Sequence, residues 1–246
     1  MGADAGGDAV GVVLAAGMGA RVGADGNKAY LPLDGRSMLV WSLDTLARMP
    51  EVTRTVLVYR QGEADLARAA VRRELDARLD GDAVEFVEGG PTRHSSELNA
   101  LRHLSADIDS GAVDVVVMHD AARPLADAGM FATAIALARR FGGALPAVPV
   151  DGLAHVTERG VEPAPGALVR VQTPQAFRAR ELLGAYLRAE EDGFEGTDTS
   201  SCVQHYTGVE VRTFPGSPAN LKVTYPDDVA IAHRLLIAQS RAAGRR

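Results

Sequence analysis

Residues 12–35 read VVLAAGMGARVGADGNKAYLPLDG, and this stretch decides the fold. Up to Ala16 it is small, apolar and β-branched, the composition of a buried strand. The chain then enters a segment rich in glycine that carries two cations, Arg21 and Lys28. A loop that leaves a strand with Gly17 and Gly19 brings backbone N–H groups close to phosphate oxygens, because side chains there would hold the ligand away. Arg21 and Lys28 add side-chain charge to the same loop.

Further strand-like runs fall at about 54–59, 83–87, 113–118, 144–150 and 209–214, the first strand spanning about 10–16. Helical patterns lie near 37–48, 63–79, 94–104 and 127–141, and Leu66, Ala70, Val71, Leu75 and Leu79 have the spacing of one buried face. Strand alternating with helix predicts an α/β protein with a Rossmann-like, mostly parallel sheet flanked by helices on both sides. Ligands of such sheets sit beyond the carboxyl ends of the strands. From about residue 150 to 172 the helical period stops, and DGLAHVTERGVEPAPGALVRVQ carries short apolar alternations broken by prolines and glycines. A protruding β-arm is expected there, of the kind that pairs with a second copy. Residues 1–246 otherwise read as a single domain, with MGADAGGDAV at the start as a frayed tail without a targeting pattern.

The formal net charge of −6 speaks against a general nucleic-acid or membrane-surface binder and directs the search to a local basic pocket. No apolar run approaches the ~20 residues of a membrane span. Cys202 is the only cysteine, so no intrachain disulfide or cysteine metal cluster forms, which fits a cytoplasmic protein. His94, His103, His155, His205 and His233 have no metal-ligand spacing, and no side-chain metal site is predicted.

Two common phosphate loops fail on the opening stretch. In the dinucleotide pattern G-x-G-x-x-G, Gly17-Met18-Gly19 would need a glycine where Val22 stands, and the Walker lysine would need Gly and Ser or Thr beside it where Lys28 has Asn27 and Ala29. What remains is L-A-A-G-x-G-x-R, a lysine seven residues later, and YLPLDGRSML. Together with HDAARP at 119–124, VQTPQAF at 171–177, GTD at 196–198 and LKVTYPDD at 221–228, this order of blocks resembles the 2-C-methyl-D-erythritol 4-phosphate cytidylyltransferases and close relatives that use ribitol 5-phosphate. The resemblance covers about residues 9 to 240.

The resemblance implies transfer of CMP from CTP to a small polyol phosphate, first of all 2-C-methyl-D-erythritol 4-phosphate, with release of pyrophosphate. It implies catalytic roles for Arg21, Lys28 and Lys222 around the reacting phosphorus. Nucleotide binding falls to Ala15, Ala16, Gly17, Gly19, Gly90, Ser96 and Asp120, with Asp120 near the ribose hydroxyls and a Mg2+ ion held mainly by the nucleotide phosphates. For Ser96 the residues leave two readings open, the base-recognition turn and a helix cap. Arg123 and Thr197 are implied on the acceptor side, and a homodimer is implied in which the arm of one subunit completes the pocket of the other.

Departures from the family pattern cluster on the acceptor side. Gly152 and Ala154 stand where threonine and lysine are usual, and Pro165 stands where the arm normally brings an arginine. Arg170 is a candidate substitute cation. Asn27 replaces a usual proline and is expected to loosen the turn before Lys28, while Ser95 and Glu97 flank Ser96 in place of a polar residue and a valine. The acceptor therefore stays open between methylerythritol phosphate, ribitol 5-phosphate and a phosphonate, with a nucleotide-binding paralogue without turnover as the reading from another class.

Overall fold

The computed structural model describes residues 7–17, 27–75, 84–158, 160–163 and 166–243. The first half of the chain runs through β1 (Asp8–Leu14), a 3-10 turn (Lys28–Tyr30), β2 (Pro32–Leu33), β3 (Arg36–Ser37), α1 (Met38–Ala47), β4 (Val52–Tyr59), α2 (Ala64–Glu74) and β5 (Val84–Glu88). It continues with α3 (Arg93–His103), α4 (Ser105–Ser110), β6 (Val113–Asp120), α5 (Ala128–Phe141) and β7 (Gly142–Pro149). There follow β8 (Ala154–Thr157), β9 (Gly160–Pro163), β10 (Val169–Val171), β11 (Gln175–Arg178), α6 (Ala179–Asp192), α7 (Thr199–Tyr206), β12 (Glu210–Pro215) and α8 (Pro226–Ala243).

The main sheet has the strand order β10-β7-β11-β6-β1-β4-β5, with β12 added alongside β7. β1 pairs in parallel with both β4 and β6, and β4 in parallel with β5. Strand order runs one way from β1 through β4 to β5 and the other way through β6. The ends of β1 and β6 therefore flank a topological switch point, where a crevice opens in sheets of this kind. β11 is the exception inside the sheet, antiparallel to both β6 and β7.

Alternation along the strands explains the layers. Ala9 and Val13 of β1, Leu57 of β4, and Val115 and Val117 of β6 pack with α1, α2 and α5 on one face. Val10 and Val12, Val56 and Val58, and Val116 and Met118 point the other way, into a core shared with α3, α4, α6 and α7. A third, smaller cluster joins Leu33, Met38 and Leu125 to Val223, Ala232 and Leu236, and it seats the chain before and within α8 at the mouth of the sheet.

The predicted strands at 54–59, 113–118, 144–150 and 209–214 form with small shifts at their ends, and β1 begins and ends earlier than the run 10–16. The face of α2 differs from the one read in the sequence. Ala67, Ala70 and Val71 are buried, whereas Leu66 is 49% exposed, because one position is a turn of about 100° away from that arc. α2 ends at Glu74, before the expected end at residue 79, with Leu75 already extended. The stretch MGADAGGDAV read as a tail enters β1 at Asp8. Residues 1–6, Gly19, Arg21 and Pro165 lie outside the described residues.

The arm is shorter than residues 150–172. β8 and β9 form a separate two-stranded hairpin, but residues 169–171 return as β10 and pair with β7 of the main sheet. β11, α6, α7 and α8 were not read from the sequence, where TPQ at 173–175 has the composition of a loop.

Gly143 of β7 lies against the ring of the fully buried Phe177 on β11, and a Cβ there would stand 2.6 Å from its Cδ1. Gly143→Ala should lower the urea midpoint by an equivalent of about 1–3 kcal/mol, the range for overpacking a core. Gly184→Ala, in α6 where a new Cβ meets nothing within 4 Å, should instead raise stability by about 0.5–1 kcal/mol.

Candidate active site

A cleft of about 380 Å³ opens at the carboxyl ends of β1, β5 and β6. Its wall comes from the loop after β1 (Ala15, Ala16, Gly17), the turn after β5 (Gly90 to Arg93, with Ser96), Asp120 to Ala122 after β6, Asn27 to Ala29, and Lys222 and Thr224. Eight of the sequence-predicted residues meet here: Ala15, Ala16, Gly17, Lys28, Gly90, Ser96, Asp120 and Lys222. Backbone groups tie these loops together, since Ala15 N–H donates to Val58 O, Gly89 N–H to Tyr59 O and Ala121 N–H to Leu14 O. Gly89 has to be small, because a Cβ would stand 2.5 Å from that of Ala16 and 2.9 Å from Ser96 Oγ.

Asn27 does not loosen the turn before Lys28. It is buried and N-caps the 3-10 turn, its Oδ1 accepting from Ala29 N–H at 3.0 Å, while Nδ2 donates to Ala15 O and to Glu63 Oε2. A side chain with both donor and acceptor thus clamps the lysine to the end of β1. Lys28 Nζ donates to Val223 O at 3.0 Å, and Val223 N–H donates to Ala122 O. The neighbour of Val223, Lys222, reaches Asp120 Oδ2 at 2.6 Å. Asp228 holds this segment in shape by accepting from the N–H groups of Thr224 and Tyr225.

Asp120 is buried at the end of β6 and lies between Lys222 and Arg93, whose Nε and Nη2 both stand 3.3 Å from Oδ1. Burial by itself pushes the Asp120 carboxyl up; the charges of Arg93 and Lys222, the Lys222 hydrogen bond and the charge of Arg123 outweigh it and hold the group well below the usual carboxylate range. Asp120 is therefore an anion at neutral pH. Its backbone is fixed from below: Asp120 N–H donates to Thr173 Oγ1, Thr173 bonds His119 Nδ1, and His119 Nε2 meets Arg123 O. That arrangement fits a neutral imidazole with its proton on Nε2 and Nδ1 accepting from the Thr173 hydroxyl. Burial lowers His119 to about 4.

Ser96 is not the helix cap. Thr92 caps α3 in a reciprocal pair with Ser95, and Ser96 Oγ instead accepts from Gly90 N–H and donates to Thr92 O, closing the turn after β5. The residues implied for the acceptor stand apart from the cleft lining. Arg123 is buried with Nη1 donating to Asn220 O at 2.7 Å and Nε without a hydrogen-bond partner. Burial lowers its guanidinium, Asp120 opposes that shift, and the charges of Arg93 and Arg170 add to it. Thr197 is exposed just before α7. Gly152 and Ala154 are exposed at the start of the hairpin, and Arg170 is exposed on β10.

Arg93, Glu97 and Thr199 were not assigned to the site from the sequence. Arg93 Nη1 pairs with the buried Glu97 at 2.8 Å, and Thr199 and Tyr186 both donate hydroxyls to the same carboxylate. The spacing of Arg93 and Glu97 along one helix face is legible in the sequence. Their partners on α6 and α7 are not.

A doubly wound sheet with two lysines and a buried aspartate lining a cleft at its switch point has the character of a site for a phosphorylated ligand. The model of the 2-C-methyl-D-erythritol 4-phosphate cytidylyltransferase family matches residues 9–238. The chain belongs to this family and is a CTP-dependent nucleotidyltransferase. It is 36% identical over 234 residues to the 2-C-methyl-D-erythritol 4-phosphate cytidylyltransferase of Desulforamulus reducens, covering 94% of this chain and 96% of that one. The enzyme of the same name from Cereibacter sphaeroides is 39% identical over 229 residues, with coverage of 92% and 95%. Among solved structures, 4-diphosphocytidyl-2C-methyl-D-erythritol synthase from Anaerococcus prevotii superposes with a TM-score of 0.79 at 24% identity, covering 94% and 96% of the two chains, a likeness of fold.

The depressed His119 gives a sign to the pH dependence of stability. The unfolded chain takes up this proton near pH 6.5 and the folded chain only near 4, so stability is lost as pH falls between these values and levels off below. About 2 kcal/mol should disappear between pH 7 and 5 from this group. Urea midpoints across that range should fall, and His119→Gln should show a shallower acid slope than the unsubstituted chain.

Proposed function

We propose that this chain transfers CMP from CTP to 2-C-methyl-D-erythritol 4-phosphate. An acceptor phosphate oxygen attacks the α-phosphorus in line, a new P–O bond forms, the bond to the β-phosphate breaks, and pyrophosphate leaves. The acceptor is already an anion, so no protein nucleophile is required. The protein has to align two mutually repelling phosphates and place positive charge where the transition state gathers negative charge.

The observation that carries this reading is the meeting of residues 28, 120 and 222 in one cleft, with Lys28 bonded to the carbonyl of Val223 and Lys222 to Asp120. Lys28 and Lys222 face the α-phosphate and the developing pentacoordinate phosphorus, and the family likeness gives Arg21, outside the described residues, a share in the same task. The backbone of Ala15, Ala16, Gly17 and Gly19 takes the triphosphate, Gly90 and Ser96 shape the turn that receives the base, and Asp120 accepts from the ribose hydroxyls. Arg123 and Thr197 serve the acceptor.

Mg2+ suits this donor set as an ion carried by the nucleotide. Among the described residues no group of three or more His, Cys, Asp or Glu side chains is placed to hold a metal, and Asp120 is the acidic residue among the described lining of the cleft. Magnesium commonly keeps several waters and takes one or two carboxylates together with substrate phosphates. When bound it neutralises phosphate charge.

The homodimer reading rests on the hairpin of β8 and β9. Val156 and Val161 are paired across it and are 87% and 73% exposed, an apolar surface that a second copy would cover. Among the described residues no helix is long and apolar enough to cross a membrane.

Pyrophosphate release from a matrix of nucleotides against polyol phosphates tests the reaction. CTP with methylerythritol phosphate should give product; product with ribitol 5-phosphate or a phosphonate alone would replace the acceptor, and CTP binding without product from any acceptor would favour the paralogue without turnover. Lys28→Ala and Lys222→Ala should each lower kcat by about tenfold or more, equivalent to at least ~1.4 kcal/mol in the barrier, with circular dichroism unchanged. Val156→Asp should shift the chain from dimer to monomer in size-exclusion chromatography with light scattering, and an unchanged dimer would remove the hairpin from the interface.

A further inference from the structure

Behind the cleft lies a buried carboxylate to which the reaction scheme gives no task. Glu97 is 1% exposed on α3, next to Ser96 of the cleft wall and one turn beyond Arg93. A carboxylate taken fully out of water costs several kcal/mol unless its oxygens are paired. Here both are. Oε2 accepts from Tyr186 Oη at 2.6 Å, and Oε1 accepts from Thr199 Oγ1 and forms an ion pair with Arg93 Nη1 at 2.8 Å.

The donor that matters is Arg93. Its guanidinium is 29% exposed and lines the cleft, yet it is held between two carboxylates, Glu97 on the core side and Asp120 on the cleft side. A planar guanidinium hydrogen-bonded to one carboxylate and ion-paired with a second on its other side is held in orientation more firmly than by a single partner. The charges alternate from core to cleft: Glu97, Arg93, Asp120, Lys222. Arg93 occupies Asp120 Oδ1, and this leaves Oδ2 to hold Lys222 Nζ at 2.6 Å.

We infer that Glu97 is a positioning residue for nucleotidyl transfer, acting through Arg93 to set the Asp120–Lys222 pair. Removing its charge releases one side of the guanidinium, so that Arg93 moves toward Asp120 or toward the phosphates of the nucleotide. Either movement competes with Lys222 for an anion. The tie is long-range: α3 supplies the carboxylate, α6 and α7 supply the hydroxyls that satisfy it, and the consequence falls on a lysine near the other end of the chain. Glu97 touches no substrate in this scheme.

The inference rests on the cytidylyl-transfer reading, and the experiment separates the two. Steady-state pyrophosphate release is measured with CTP and methylerythritol phosphate for the unsubstituted chain, Glu97→Gln, Lys222→Ala and the double variant. An unsubstituted chain without turnover on any acceptor would sink the functional reading itself. With turnover present, Glu97→Gln should lower kcat about tenfold while KM for CTP moves by less than about twofold. In the Lys222→Ala background the same substitution should lower kcat by less than about twofold, because the lysine with which a displaced Arg93 would compete is gone. Equal factors in both backgrounds, or a full kcat with only a lower melting temperature, would make Glu97 a staple between helices and overturn the inference. Should Glu97→Gln not fold, Tyr186→Phe removes one donor from the same carboxylate and keeps both charges. Its smaller loss of kcat should again vanish in the Lys222→Ala background, and additive losses would overturn the inference.

Discussion

The ion pair between Asp120 and Lys222 is the interaction on which the rest of the site depends. It joins the end of a central strand to a segment a hundred residues further along the chain, at 2.6 Å and on the edge of a cleft. A buried aspartate needs compensation for the water it loses. Arg93 and Lys222 supply it from two sides and keep the carboxylate charged. The consequence is a cleft in which cations are held in place by an anion.

The sheet makes this possible through its strand order. β1 lies between parallel partners that continue in opposite directions, so the loops after β1 and β6 diverge and leave a gap. The loop after β5 folds back over that gap because Gly89 and Gly90 allow close approach to Ala16 and to the Ser95 and Ser96 side chains. Asn27 then fastens the lysine loop to β1, and the third apolar cluster brings the segment before α8 across the top. Each of these contacts is modest. Together they place side chains from residues 28, 93, 120 and 222 around one volume.

The acceptor side is built differently. Arg123 is buried beside Asn220, the hairpin carries exposed valines, and the positions at 152 and 154 hold residues that cannot donate from a side chain. Arg170 stands on β10, near enough to Arg123 for its charge to be felt there. The cleft thus rests on side chains fixed by ion pairs and hydrogen bonds, whereas the hairpin presents an exposed apolar pair.

Much of this was legible before any coordinates. The β-branched runs gave the strands because apolar side chains on both faces are buried most readily that way, and Gly17 and Lys28, read as parts of one anion-binding loop, do line one cleft. HDAARP and LKVT marked Asp120 and Lys222 as chemistry-bearing residues. What periodicity could not give was their partners. The antiparallel return of residues 175–178 into the sheet, the clamp made by Asn27, and the pairing of Glu97 with Thr199 and Tyr186 all depend on which distant segment comes to lie alongside. Local sequence fixes backbone preference and the character of each face. Only the folded chain decides which charges share a dry space, because that is a matter of distance between residues far apart in number, and pattern carries no information about it.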